Sequence, residues 1–287
     1  MEIPGTLFKY LPPERADVLS SLMLRFTPPA EFNDPFDSSP AMGEAFSEDD
    51  TRRLIADSIG ESVSVAYGML PPESRAAMPL ELFRTLIGPK LEEALLEKSG
   101  FIAGIVNSAA KRSVQHGVRG MLGVLSLSEV PDDLLMWAHY AGNHEGFVLA
   151  FDTSSPFFDQ RKGPGDELRH LRPVEYGPER PDFSDPALRD FRAFLAKSDH
   201  WAYEREWRMA VPLDSADETV RAGGRTVHLF RFPPEALKAV VVGCRASEDT
   251  VSAISAAAGG MGLPAFMARA DERRFRLDLQ GFPRPVG

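Results

Sequence analysis

Apolar and polar residues along this chain fall into three textures. Residues 6–10 (Thr-Leu-Phe-Lys-Tyr) predict a short strand, Pro12-Pro13 opens a helix across about 14–22, and 24–27 predict a second strand stopped by Pro28-Pro29. Between residues 47 and 118 the pattern is helical. Ser47 precedes Glu48-Asp49-Asp50, a helix-start signature with acids at the positive end of the dipole. Leu82, Phe83, Leu86, Leu91, Ala94 and Leu95 then recur three and four apart, with interruptions expected near Gly88-Pro89 and Gly100. Such a segment is an insertion or cap, serving either as packing alone or as a lid.

From Gly123 the chain is β-rich. Strands are predicted at 123–128, 146–152, 171–176, 205–212, 226–232 and 239–243, and two more over about 264–279 with a turn at Asp271-Glu272. Helices are predicted at 132–140, capped by Asp132 or Asp133, at 185–197, and at 247–258. The fold class that follows is α+β, a mixed, mainly antiparallel sheet forming a single domain over 1–287 with a helical insertion at about 47–118.

Composition narrows the function classes. The 287 residues carry a formal charge of −10, a field that disfavours non-specific attraction to nucleic acid or anionic lipid. One cysteine, Cys244, permits no internal disulfide, and its better reading is a small buried hydrophobe. With no run of 18 apolar residues and no apolar leader after Met1, the expectation is a cytoplasmic protein without a membrane span.

The densest chemistry lies in Trp201-Ala202-Tyr203-Glu204-Arg205-Glu206-Trp207-Arg208. If a strand begins here, Glu204, Glu206 and Arg208 share one face, and burying them demands pairing or a cleft. Two readings are open: a solvated face whose arginine neutralises the acids, or a carboxylate held to stabilise a developing cation behind aromatic walls. In Met136-Trp137-Ala138-His139-Tyr140-Ala141-Gly142-Asn143-His144, two histidines five apart cannot share a helical face as metal ligands. His139 belongs in the last helical turn and His144 in the loop after it, either as capping groups or, for His139 and Tyr140, orienting a ligand. Asn33 and Asp34 either turn the backbone or line the site. Gly243-Cys244-Arg245-Ala246-Ser247 precedes a helix but lacks the glycine spacing of a nucleotide-binding loop, and no GxSxG or HExxH motif is present. No metal site is expected.

Taken together, Leu7-Phe8-Lys9-Tyr10, Glu31-Phe32-Asn33-Asp34-Pro35-Phe36-Asp37, Ser126-Leu127-Ser128, Met136-Trp137-Ala138-His139-Tyr140, His144-Glu145-Gly146-Phe147 and the 201–208 segment resemble a bacterial family known as domain of unknown function 2971. A more distant resemblance is to ADP-ribosyltransferases, especially the DNA-modifying toxin branch. It rests on the order of elements at 6–27, on Ser128 and Met136, and on Glu204-Arg205-Glu206 as a Glu-x-Glu. Where those enzymes usually carry His or Arg, this chain has Lys9.

That resemblance implies NAD as substrate, a nucleic-acid or protein acceptor, and a place in toxicity or phage defence. Glu206 would stabilise the ribosyl cation and Glu204 would orient the acceptor. Lys9 or Tyr10 would contact the dinucleotide and Tyr140 would stack on nicotinamide, within a site that includes Asn33, Asp34, Ser128, His139 and Arg208. Two alternatives stand beside it: a non-catalytic ligand-binding or sensor module, and a metal-dependent hydrolase or nuclease using His139, His144 and acidic residues.

Overall fold

A computed structural model describes residues 2–39, 47–181 and 194–281, with backbone alone over 110–119. Two compact units result, one formed by Met1–Ala41 with Gly117–Gly287 and the other by Met42–His116.

In the first unit the strands are β1 (Thr6–Leu11), β2 (Met23–Phe26), β3 (Leu122–Ser128), β4 (Phe147–Asp152), β5 (Arg172–Pro173), β6 (Glu175–Gly177), β7 (Ala196–Ser198), β8 (Glu206–Pro212), β9 (Glu218–Ala222), β10 (Arg225–Arg231), β11 (Leu237–Val242), β12 (Ala265–Ala270) and β13 (Leu277–Gln280). Eight of them make one mainly antiparallel sheet in the order β13-β12-β11-β4-β1-β3-β8-β5, in which only the β11–β12 pair is parallel among the described residues. Because successive strand side chains face opposite ways, the sheet has two cores. Leu7, Leu11, Phe147, Leu149, Phe151, Trp207, Met209, Val240 and Val242 pack on one face. Phe8, Tyr10, Val148, Ala150 and Val241 pack on the other, against Met136 and Trp137. β4 is apolar on both faces, as a strand covered on both sides must be.

A second sheet, β2-β10-β9, contributes Leu24, Phe26 and Phe230 to the first of these cores, and the Phe26 and Phe230 rings meet at a tilt of 52° with centroids 4.5 Å apart. Its β9–β10 hairpin turns on Gly223-Gly224, both with positive φ (57° and 76°), the geometry a two-residue hairpin loop requires.

The second unit is helical. α2 (Glu48–Gly68) opens on a full capping box between Ser47 and Asp50, as the sequence predicts. α3 (Pro72–Ala77), α4 (Leu80–Glu97) and most of α5 (Ser99–Met121) complete it. α4 runs unbroken through Pro89, contrary to the interruption expected there. A proline removes one internal hydrogen bond, and here buried Gly88 seats that turn against Val63 of α2. The other interruption, expected near Gly100, falls at Lys98 between α4 and α5.

Other boundaries also differ. The helix expected at 14–22 is a 3-10 turn, Pro13–Arg15, followed by the single-turn α1 (Val18–Ser21). The strand expected at 171–176 splits into β5 and β6, because the chain changes partner: Val174 still donates to the Glu206 carbonyl, whereas Glu175 donates to that of Leu195. The helix expected at 185–197 lies mostly outside the described residues, and its last residues belong to β7. α6 (Leu134–Tyr140) and α7 (Glu248–Gly260) start on Asp133 and Ser247, whose side chains accept N–H bonds of the first turn.

Candidate active site

β1 and β3 are neighbours in the sheet, yet among the described residues they share a single register pair, Phe8↔Ser128. β1 follows β4 from Thr6 to Leu11, and β3 follows β8 from Leu122 to Ser128. The gap between β1 and β3 gives onto a cavity of about 360 Å³. Lys9 alternates onto the face of Leu7 and Leu11, and its ammonium reaches into this gap to donate to the carbonyl of Ser126 at 2.9 Å. Across β3 and β8, Ser126 stands opposite Arg208 and Ser128 opposite Glu206, so two small side chains leave room for two long ones.

The acidic walls come from β8 and the turn before it. Glu204 is not on a strand. Ser198 caps a 3-10 turn, Asp199–Glu204, which Arg205 ends in the left-handed region (φ 43°) before β8 begins at Glu206. This corrects the expectation that strand alternation aligns the two glutamates. They converge through a lysine instead. Lys197 of β7 places its Nζ 2.5 Å from Glu204 Oε2, 3.0 Å from Glu206 Oε2 and 3.5 Å from Asp37 Oδ2. Arg208 grips Glu206 with Nε and one terminal nitrogen (both 2.8 Å) and Asp37 with both terminal nitrogens (2.8 and 2.6 Å). All five residues are buried, so this is an enclosed network in which two cations face three carboxyls.

α6 supplies the third wall. Its cap, Asp133, accepts from Leu135 and Met136, and the Trp137 indole donates to the Pro131 carbonyl, so the last turn holds Tyr140 and His139 in place. The Tyr140 hydroxyl donates to Glu204 Oε1 at 2.6 Å, and exposed His139 bonds the Tyr203 hydroxyl at 3.0 Å. Gly142, Asn143 and His144 all take positive φ, which turns the chain sharply into β4. Ser128 donates to the Glu204 carbonyl, and the Tyr176 hydroxyl accepts the Glu206 N–H, so the backbone around both acids is fixed as well.

These surroundings drive the two glutamates apart. Burial pushes the Glu206 carboxyl up, but Arg208 and then Lys197 more than offset it, and Glu206 ends well below the usual carboxylate range. For Glu204 burial prevails: its carboxyl is held above the ordinary value despite the attraction of Lys197, with the Glu206 charge adding to the rise. Burial pulls the Lys9 ammonium down to about 8, against the pull of Glu206. The Tyr203 phenol is pushed up to about 12, again chiefly by burial.

Of the residues singled out from sequence, Lys9, Tyr10, Asn33, Ser128, His139, Tyr140, Glu204, Glu206 and Arg208 all line this cavity. Asp34 does not. Its carboxylate accepts the Phe36 N–H, so it turns the loop. Lys197 and Asp37 were missed. Asp37 sits at the end of the 31–37 motif, and the signal for it was Arg208: an arginine on a buried strand face needs a carboxylate from elsewhere. Lys197 carried no such signal. Gly243, which opens the segment before α7, serves close packing against the His144 carbonyl, and burial pushes the Cys244 thiol up. Among the described residues no three His, Cys, Asp or Glu side chains gather as a set that could hold a metal ion, and no helix is long and apolar enough to cross a membrane.

Residues 136–209, from Met136 on α6 to Met209 on β8, match a family described as "Protein of unknown function (DUF2971)". The motifs at 7–10 and 31–37 fall outside that match. No curated protein and no solved structure matches the chain.

Proposed function

We propose that this cleft is the active site of an ADP-ribosyltransferase-like enzyme that consumes NAD and passes ADP-ribose to a macromolecular acceptor or to water. The observation that carries this reading is the meeting of Glu204, Glu206, Tyr140, His139 and Lys9 on one cavity, with two carboxyls driven to opposite protonation behaviour. Pairs so separated divide acid–base work between them. The C1′–N bond of the nicotinamide riboside breaks, its electron pair leaves with nicotinamide, and positive charge develops on the ribose. Glu204 offers the charge-stabilising oxygen, since Oε1 is held by one phenol while both oxygens of Glu206 are occupied by Arg208 and Lys197. An acceptor hydroxyl then attacks C1′ and gives its proton to Glu204. The roles implied by the resemblance are thereby exchanged: Glu206 anchors and Glu204 reacts.

The test is nicotinamide release from labelled NAD, with protein, nucleic-acid or water as acceptor. Glu204→Gln is expected to lower turnover by about 100-fold or more in protein that still unfolds cooperatively. Wild-type protein that releases no nicotinamide with any acceptor, or an E204Q variant as active as wild type, overturns the reading. A binding module without turnover is the second reading, favoured by the full engagement of Glu206 in ion pairs. It predicts that NAD raises the melting temperature while remaining intact.

A further inference from the structure

Among the described residues Lys197 is the one cation that touches both glutamates, and its position differs from that of Arg208 in a way that matters. Arg208 lies flat between Glu206 and Asp37 and satisfies both oxygens of each. Lys197 has three N–H bonds and three carboxylate oxygens within 3.5 Å, one from each acid. Glu206 therefore receives three charged donors in total, and Glu204 receives one. The lysine is itself held from two sides. β7 pairs in parallel with β6, setting Lys197 against Tyr176, and the ammonium lies 5.2 Å from the centre of the Trp201 ring. Tyr176 in turn takes the Glu206 N–H, so the short β6–β7 ribbon braces both acids together.

We propose that Lys197 is a positioning residue that divides the two glutamates into a fixed anion and a proton carrier, by completing the clamp on Glu206 and holding Glu204 by its far oxygen so that the near one, under Tyr140, serves the cavity. This rests on the reading of the cleft as an active site. The groups facing Glu204 are Lys197 from β7, Tyr176 from β6, Glu206 and Arg208 from β8, Tyr140 from α6, Asp37 from the loop after β2 and, across the cavity, Lys9 from β1. Tyr203 adds a phenol from its own turn. Lys197 is the direct cationic partner of Glu204 among them, so its removal leaves burial and the Glu206 charge unopposed at close range. A purely structural lysine would lower stability without moving the acid limb of turnover in step with the Glu204 titration.

The experiment follows the Glu204 side-chain carboxyl by carbon NMR across pH, assigned with E204Q, alongside the pH profile of nicotinamide release. In Lys197→Met the Glu204 midpoint is expected to rise by about one unit or more, and the acid limb of the profile should move with it. In Glu206→Gln, which leaves Lys197 with Glu204 and the more distant Asp37 as its charged partners, the midpoint should fall. Lys197→Arg keeps the charge but not the single-point contact, so kcat should drop about tenfold or more with KM nearly unchanged. A Glu204 midpoint that stays at the wild-type value in folded K197M or E206Q overturns the inference, as does full kcat in K197R. The NMR readout needs no turnover. An inactive wild type whose midpoints shift as described would sink the transferase reading and leave the role of Lys197 standing.

Discussion

Arg208 spends all five of its N–H donors inside the protein, on Glu206, Asp37, Ser38 and the Phe194 carbonyl. Removing one partner of such a buried set strands the others, so Arg208→Met is expected to cost about 3–5 kcal/mol, read as a lower denaturant midpoint. Arg208→Lys should also destabilise, since an ammonium cannot replace a planar fork. Lys9 predicts the opposite sign. Its folded pKa of about 8 lies below the ordinary 10.5, so carrying charge in the folded state costs stability below pH 8, and that cost fades as pH rises from 8 to 10.5. Lys9→Met should therefore melt higher than wild type at pH 7, and the two curves should converge toward pH 10.5. An equal or lower melting temperature at pH 7 would refute this. At this scale the sequence was readable wherever alternation applied. Glu206 and Arg208 do share a face, as spacing alone requires. Glu204 departed because Arg205 takes a left-handed conformation that no residue pattern announces.

Elements with strong local signals were the easiest to read. Ser47 and Ser247 cap their helices, and Phe147–Asp152 is a buried strand. β9 was overlooked because its side chains are mostly exposed and carry no apolar alternation; the Gly223-Gly224 turn was the available signal. β7 was hidden in a predicted helix, since three residues paired to another three-residue strand leave no periodicity. One close approach between elements gives a further prediction. A Cβ on Gly243 would collide with the His144 carbonyl, which follows α6, so Gly243→Ala should destabilise by about 1–3 kcal/mol. Because the same loop orients α6, it should also weaken any ligand that stabilises the wild type against heat. A G243A protein of unchanged melting temperature would show that the loop yields freely.

For the molecule as a whole, acid should be more damaging than the net charge alone suggests. Glu206 has a folded pKa depressed below its unfolded value near 4.5, so its contribution is present above that pH and is lost as pH falls below it. Glu204, shifted upward, acts in the reverse sense: its contribution is present below about 4.5 and declines as pH rises toward its folded pKa. Equilibrium unfolding at stepped pH should thus show a steeper loss below pH 4.5 in wild type than in Glu206→Gln, and equal slopes would count against the assignment.

The eight-stranded sheet is, in mechanical terms, two panels. One runs from β13 to β1 and the other from β3 to β5, and among the described residues a single register pair, Phe8↔Ser128, stitches them. Widening that crevice breaks few main-chain bonds, whereas spreading either panel breaks many. A bulky guest would accordingly be admitted by flexing at the seam, and amides bordering it should trade hydrogen for deuterium sooner than those deep in β4.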